Sequence, residues 1–140
     1  MGVKIIFSSL FNRRKTMKVF ILITAVIELL AGVVMFFAPT LIPDFATANA
    51  QSQVFVRMYG AAAIGLGFFA LQVWQHMRSQ VMQNAFLQTF LVFHIGVAAA
   101  GYLGFSNGAF TDPSVAILHL LLGITTAYFL FKKRTTANNI

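Results

Sequence analysis

The stretch VFILITAVIELLAGVVMFFA, Val19 to Ala38, decides the fold: in its twenty residues the only ionisable side chain is Glu28. Wound as a helix, about 20 apolar residues span roughly 30 Å, the hydrocarbon thickness of a bilayer, so the stretch reads as a transmembrane helix. Working outward, further stretches of the same kind follow at about 54–74, 86–105 and 115–131. Composition agrees, with 59% hydrophobic and 9% charged residues and a mean hydropathy of +0.80, where a soluble domain carries about 25% charged residues and needs them to cover its surface. The expected fold class is all-α, an integral membrane antiparallel four-helix bundle.

The four spans use nearly all of the 140 residues. One membrane domain is expected over 17–134, preceded by a basic segment over 1–16 and followed by a tail over 135–140. The connectors carry turn residues: Pro39, Pro43 and Asp44 first, then Arg78 and Ser79, then Ser106, Asn107, Gly108, Asp112 and Pro113. Short connectors make antiparallel neighbours. The longest segment outside the spans runs only from Pro39 to Gln53, so any chemistry sits between the helices or at their rim.

Basic residues set the orientation. Lys4, Arg13, Arg14, Lys15 and Lys18 precede the first span, Arg78 lies in the middle connector, and Lys132, Lys133 and Arg134 follow the last, so nine of the ten lie on one side. The positive-inside rule then places both termini in the cytoplasm. The net charge of +7 is accounted for as topology, and nucleic acid is excluded as a partner because no interleaved aromatic surface exists to stack bases. The absence of cysteine removes disulfides, thiol redox chemistry, iron–sulfur clusters and cysteine-bearing zinc sites.

Ala48, Asn49 and Ala50 form an A-x-A pattern behind a basic and apolar run, the outline of a cleaved signal peptide. The run is about 20 residues against the 7 to 15 of a signal core, and the pattern lies well beyond Ala38, so retention is expected. The first six residues, MGVKII, lack the Ser or Thr of a myristoylation motif. Val3 to Phe11 reads as an interfacial segment with Arg13 to Lys15 on head groups, or else translation begins at Met17.

Small residues recur four apart: Ala61 with Gly65, Ala63 with Gly67, Gly96 with Ala100 and Gly104, and Gly123 with Ala127. Such stripes let helix backbones approach closely in lipid. They face a neighbouring helix, another copy of the chain or a larger membrane complex.

Each span contributes one ionisable residue at membrane depth: Glu28, Arg57, His94 and His119. A charge there is costly unless paired, hydrated or neutralised, and so marks function by default. Glu28 and His94 each lie about ten residues, or roughly 15 Å, from the outer ends of their spans and share the midplane, whereas Arg57 and His119 belong to the outer half. Helical spacing groups Thr24, Glu28, Ala31 and Gly32; Arg57, Gly60, Ala61, Ile64 and Gly65; Leu87, Phe90, His94, Val97 and Gly101; and His119, Gly123 and Thr126. These faces are expected to point inward. Phe36, Phe37, Phe68, Phe69, Phe129 and Phe131 are left for lipid. The expected interior is one polar cluster in the outer half, with Arg57 reaching down toward Glu28.

Two readings of that cluster stand. A structural one makes Glu28 and Arg57 a buried pair, or Glu28 a carboxyl kept neutral by desolvation, with the histidines bonded to carbonyls or water. The protein is then an accessory or scaffold whose polar groups fix helix register. A functional one gives Glu28, His94 and His119 to a lipophilic small molecule such as a quinone, a lipid or haem, or to a redox-associated subunit. Bis-histidine haem is disfavoured because His94 and His119 differ in depth by about five residues, roughly 7 Å. No catalytic residue, metal ligand or defined cofactor is assigned. Transport is disfavoured because no proline interrupts a span.

Four motifs together carry a resemblance: IELLAGVVMFFAP over 27–39, RMYGAAAIGLGFFAL over 57–71, LVFHIG over 91–96 and ILHLLLGITTAYF over 117–129. Over about residues 17 to 134 the chain resembles small bacterial DoxX-like four-helix membrane proteins and related families of unknown function. The resemblance implies an inner-membrane bundle and, from relatives named after a quinone-linked oxidoreductase subunit, a redox association.

Overall fold

Four long helices carry the chain: α1 Gly2–Phe37, α2 Ala50–Gln75, α3 Gln80–Ser106 and α4 Ser114–Ala137. The computed structural model describes the backbone of residues 2–137 and the side chains of residues 14–132. Each helix contains a segment long and apolar enough to cross a membrane, namely Arg14–Phe37, Ala50–Gln75, Gln80–Ser106 and Ser114–Lys132. The all-α antiparallel expectation holds, and no strand occurs among the described residues. The helices outrun the apolar stretches because capping residues, not the limits of hydropathy, end them. Asn49 accepts from the Ser52 N–H at 2.9 Å to start α2, and Ser79 accepts from the Met82 N–H at 3.3 Å to start α3. The α1 backbone continues through Met17 without a break. The interfacial placement expected for Val3 to Phe11 and the tail over 135–140 concern side chains outside those described.

Two hairpins, α1 with α2 and α3 with α4, are each sealed by small residues. A Cβ added at Gly60 would lie 2.6 Å from the Phe36 backbone nitrogen, and one at Gly67 would lie 2.6 Å from Leu29 Cγ. These contacts admit glycine alone and set an antiparallel register in which paired residue numbers sum to about 96. In the second hairpin Gly101 lies against Ala116 and Gly123 against His94 Cβ, which sets a sum of 217. Between hairpins the contact is made by large rings. Phe20 packs on Phe86 and Phe129 at 6.4 and 5.4 Å, Phe69 packs on Phe86 and Phe90, and Phe86 stacks on Phe90 at 4.3 Å.

Three expectations about helix faces are corrected. Phe129 is buried and Phe69 packs against the core, because the ring-filled half of the bundle needs an aromatic from every helix. The inward face of α2 is Val56, Gly60, Ala63, Gly67, Ala70 and Val73, while Arg57, Ala61 and Gly65 lie exposed. The stripe of Gly96 and Ala100 is exposed as well, and α3 meets α4 through Gly101.

At the end carrying the two long connectors, the distal end, short 3-10 turns at Pro39–Leu41 and Pro43–Phe45 bring Asp44 under the other connector. Its carboxylate accepts from the Thr111 N–H at 3.1 Å and hydroxyl at 2.8 Å, and Phe45 meets Phe110 edge-on. Gly108, at φ +73°, ends α3 with the left-handed residue that glycine adopts without penalty. The Asp112 carboxylate accepts from the Ser114 N–H at 2.7 Å at the start of α4. Bonding to the Ser114 hydroxyl and N–H holds this exposed carboxyl below its ordinary value of 3.8.

Candidate functional site

Glu28, His94 and His119 come together in the interior from α1, α3 and α4. All three are buried, and one ligand atom from each lies within 4.8 Å of the others. Nδ1 of His94 and Nδ1 of His119 are 3.0 Å apart, so one imidazole donates and the other accepts. The register explains the contact: His94 is level with Gly123, whose missing side chain leaves room beside it, and His119 is level with Ala98. The backbones are therefore four residues apart in depth, roughly 6 Å, and the rings close that distance. The depth difference read from the sequence was sound for the backbones, but the inferred separation of the rings is corrected.

Arg57 does not belong to the cluster. In a register summing to 96, Glu28 is level with Phe68 and Arg57 sits eleven residues farther along α2, a gap of roughly 16 Å that no arginine side chain spans. The guanidinium is exposed and its Nη1 donates to the Phe36 carbonyl at 2.9 Å. Arg57 thus closes the carboxyl end of α1, satisfying one of the carbonyls a helix end leaves without a partner. Among the described residues Glu28 has no ion pair.

The surroundings are aromatic and polar. Phe93 lies edge-on to His119 at 5.7 Å and tilted against His94, Phe90 lies edge-on to His94, and Tyr59 stacks on Phe93 at 6.2 Å. Four buried polar atoms here have no hydrogen-bond partner: Thr24 Oγ1, Glu28 Oε1, Tyr59 Oη and His94 Nε2. Thr24 precedes Glu28 by one helical turn on the same face. Thr126, by contrast, donates to the Leu122 carbonyl at 2.8 Å and is satisfied within its own helix. An unmade bond on a buried polar group costs about 1–3 kcal/mol, so four in one neighbourhood are not expected of a polar group retained for packing alone.

Sequence reasoning passed over Tyr59, the third residue of the Arg-x-Tyr motif. Its signal was a phenol one turn beyond Val56 on the side of α2 that turns inward. A second feature lies at the opposite end of the bundle, where Arg14, Lys15, Lys18, Gln75, His76, Met77, Arg78 and Ser79 line a cavity of about 540 Å³. Arg14 donates there to the Met77 carbonyl at 3.0 Å, and Lys18 stands 4.6 Å over the Trp74 ring. Comparison of the chain with protein families, curated proteins and solved structures finds no match.

Proposed function

We propose that this is a multi-pass protein of a bacterial inner membrane, with both termini cytoplasmic, that binds a small ligand at Glu28, His94 and His119. The observation that carries the reading is the group of four buried polar atoms without partners around a compact carboxylate–imidazole cluster. The DoxX-like resemblance and its redox association belong to the same reading. Haem held between the two Nδ1 atoms is not supported: nitrogens on opposite sides of one iron stand about 4 Å apart, twice an ordinary metal–nitrogen bond, against 3.0 Å here.

A native mass spectrum of the full-length protein released from mild detergent tests the reading. A discrete adduct on the wild type that is absent from His94→Ala and Glu28→Gln is expected. Identical spectra from all three would end it. For orientation, single cysteines placed in this cysteine-free chain at Ser79 and Ser106 should differ toward an impermeant maleimide on whole cells, with Ser106→Cys labelled and Ser79→Cys protected.

A second reading, an accessory or scaffold in a larger membrane complex or a self-associating bundle, is favoured by the outward stripes Ala61 with Gly65 and Gly96 with Ala100. A Cβ added at Gly65 or Gly96 meets nothing within 4 Å. Gly65→Ile and Gly96→Ile should leave the isolated chain folded and disrupt such an assembly in crosslinked membranes; unchanged crosslinks remove this reading.

A further inference from the structure

We propose that Glu28, His94 and His119 form a site for one divalent first-row transition-metal ion of the zinc class. The inference rests on the ligand-binding reading above and names its ligand. Three features of the cluster select this chemistry.

The first is the donor set. Two imidazoles and a carboxylate suit zinc and its first-row neighbours, whereas magnesium and calcium take shells dominated by oxygen, and soft ions prefer the sulfur that this cysteine-free chain supplies only as thioether. The second is spacing. Nitrogen ligands at 2.0–2.1 Å from a tetrahedral ion lie about 3.3 Å apart, close to the 3.0 Å between the two Nδ1 atoms and inside the 4.8 Å limit that contains all three donors. The third is the state of the groups. His94 turns one ring nitrogen to His119 and leaves Nε2 without a partner, Glu28 leaves Oε1 without one, and the two residues are 0% and 1% exposed. An ion at the two Nδ1 atoms takes one lone pair from each imidazole and one from Glu28 Oε1 together, which a single hydrogen bond between the imidazoles does not, and His94 Nε2 then carries the ring proton.

Electrostatics favours the same occupant. A carboxylate at this depth needs a cation, and Arg57, the residue expected to reach it, is engaged at the Phe36 carbonyl. A divalent ion supplies the charge inside the cluster. Three protein ligands leave a fourth position for water, and a zinc-class ion lowers the pKa of bound water to about 7. A hydroxide there brings ion, carboxylate and hydroxide to zero net charge, the state that a low-dielectric interior tolerates best.

The test uses the full chain purified in detergent with a histidine-free affinity tag, stripped with chelator and titrated with Zn²⁺ or Co²⁺. The expected result is one ion per chain and the intense visible spectrum of tetrahedral Co²⁺ with nitrogen and oxygen donors. His94→Ala, His119→Ala and Glu28→Gln should each weaken binding by about 100-fold or more, since loss of a mere outer-shell partner already costs 10–100-fold. His76→Ala, at the exposed α2–α3 turn, should bind as the wild type does. Equal binding by wild type and the three cluster variants, or the weak spectrum of octahedral Co²⁺, overturns the inference. Should a variant not fold, the wild-type cobalt spectrum and stoichiometry decide alone. An organic adduct that depends on the cluster, without metal, overturns the metal assignment and leaves the binding reading standing; no cluster-dependent adduct of either kind removes both.

Discussion

The interior of the bundle has two halves built from opposite chemistry. Toward the termini, Ile21, Val73, Phe86, Leu87 and Phe90 are fully buried and interlock with Phe20 and Phe129. Toward the distal loops, Thr24, Glu28, Tyr59, His94 and His119 occupy the equivalent space, and four of their polar atoms lack partners. Phe90 and His94, one helical turn apart on α3, mark the border. The difference separates two tasks. Shape complementarity of rings holds the hairpins together at one end, where dispersion is the main attraction available between helices in lipid. At the other end the hairpins are held by their connectors, through Asp44 and Thr111, so the interior between them does not have to be optimised for packing.

The largest expected effect falls in the aromatic half. Phe86→Ala should destabilise the bundle by about 3 kcal/mol, the low end of the range for deleting a buried phenylalanine, because lipid solvates the unfolded reference; unfolding in mixed micelles measures it, and a loss below about 1 kcal/mol would mean that the rings do not join the hairpins. Gly60→Leu comes next, at about 2 kcal/mol from overpacking. Its new side chain must push α1 from α2, because its Cβ would fall 2.6 Å from the Phe36 nitrogen, and a crosslink between cysteines placed on the two helices should weaken with it.

Glu28→Leu should change stability in the opposite direction. Removing a buried carboxyl that lacks a partner stabilises the ligand-free bundle by about 1–2 kcal/mol, whereas a Glu28 retained as structural cement would make the variant less stable. Arg57→Ala should cost less than about 1 kcal/mol, one exposed charge-assisted hydrogen bond, and should leave ligand binding unchanged. The smallest effect belongs to Asp112. Its folded carboxyl titrates below the ordinary 3.8 because Ser114 bonds the ionised form, so its stabilising contribution is present above about pH 4 and is lost as pH falls through the depressed value. The hydrogen-exchange protection factor of the first turn of α4, taken relative to the intrinsic rate at each pH, should fall on acidification in the wild type and stay constant in Asp112→Asn.

The same comparison shows what could be read from the sequence. Helix number, order and approximate spans follow from apolar stretches and turn residues, because the bilayer imposes a length and requires every backbone group to be bonded within its segment. Three of the four intramembrane ionisable residues meet as expected. Arg57 was misplaced because its position depends on the α1–α2 register, which close contacts at Gly60 and Gly67 fix and which hydropathy does not encode. The faces of α2 were misread for a related reason: two stripes of small residues run along it, and only Gly60, Ala63 and Gly67 meet α1. Phe129 looked lipid-facing because rings serve lipid and core equally well, and only the facing Phe20 decides between them.

The most direct test of the central claim, that the distal half is a ligand site and not a packed core, is X-ray absorption at the zinc edge of the zinc-loaded, tag-free protein. The account predicts a first shell of nitrogen and oxygen at about 2.0–2.1 Å with the outer-shell scattering of two imidazoles, reduced to one in His119→Ala. A shell of oxygen alone, or one unchanged by that substitution, would contradict it.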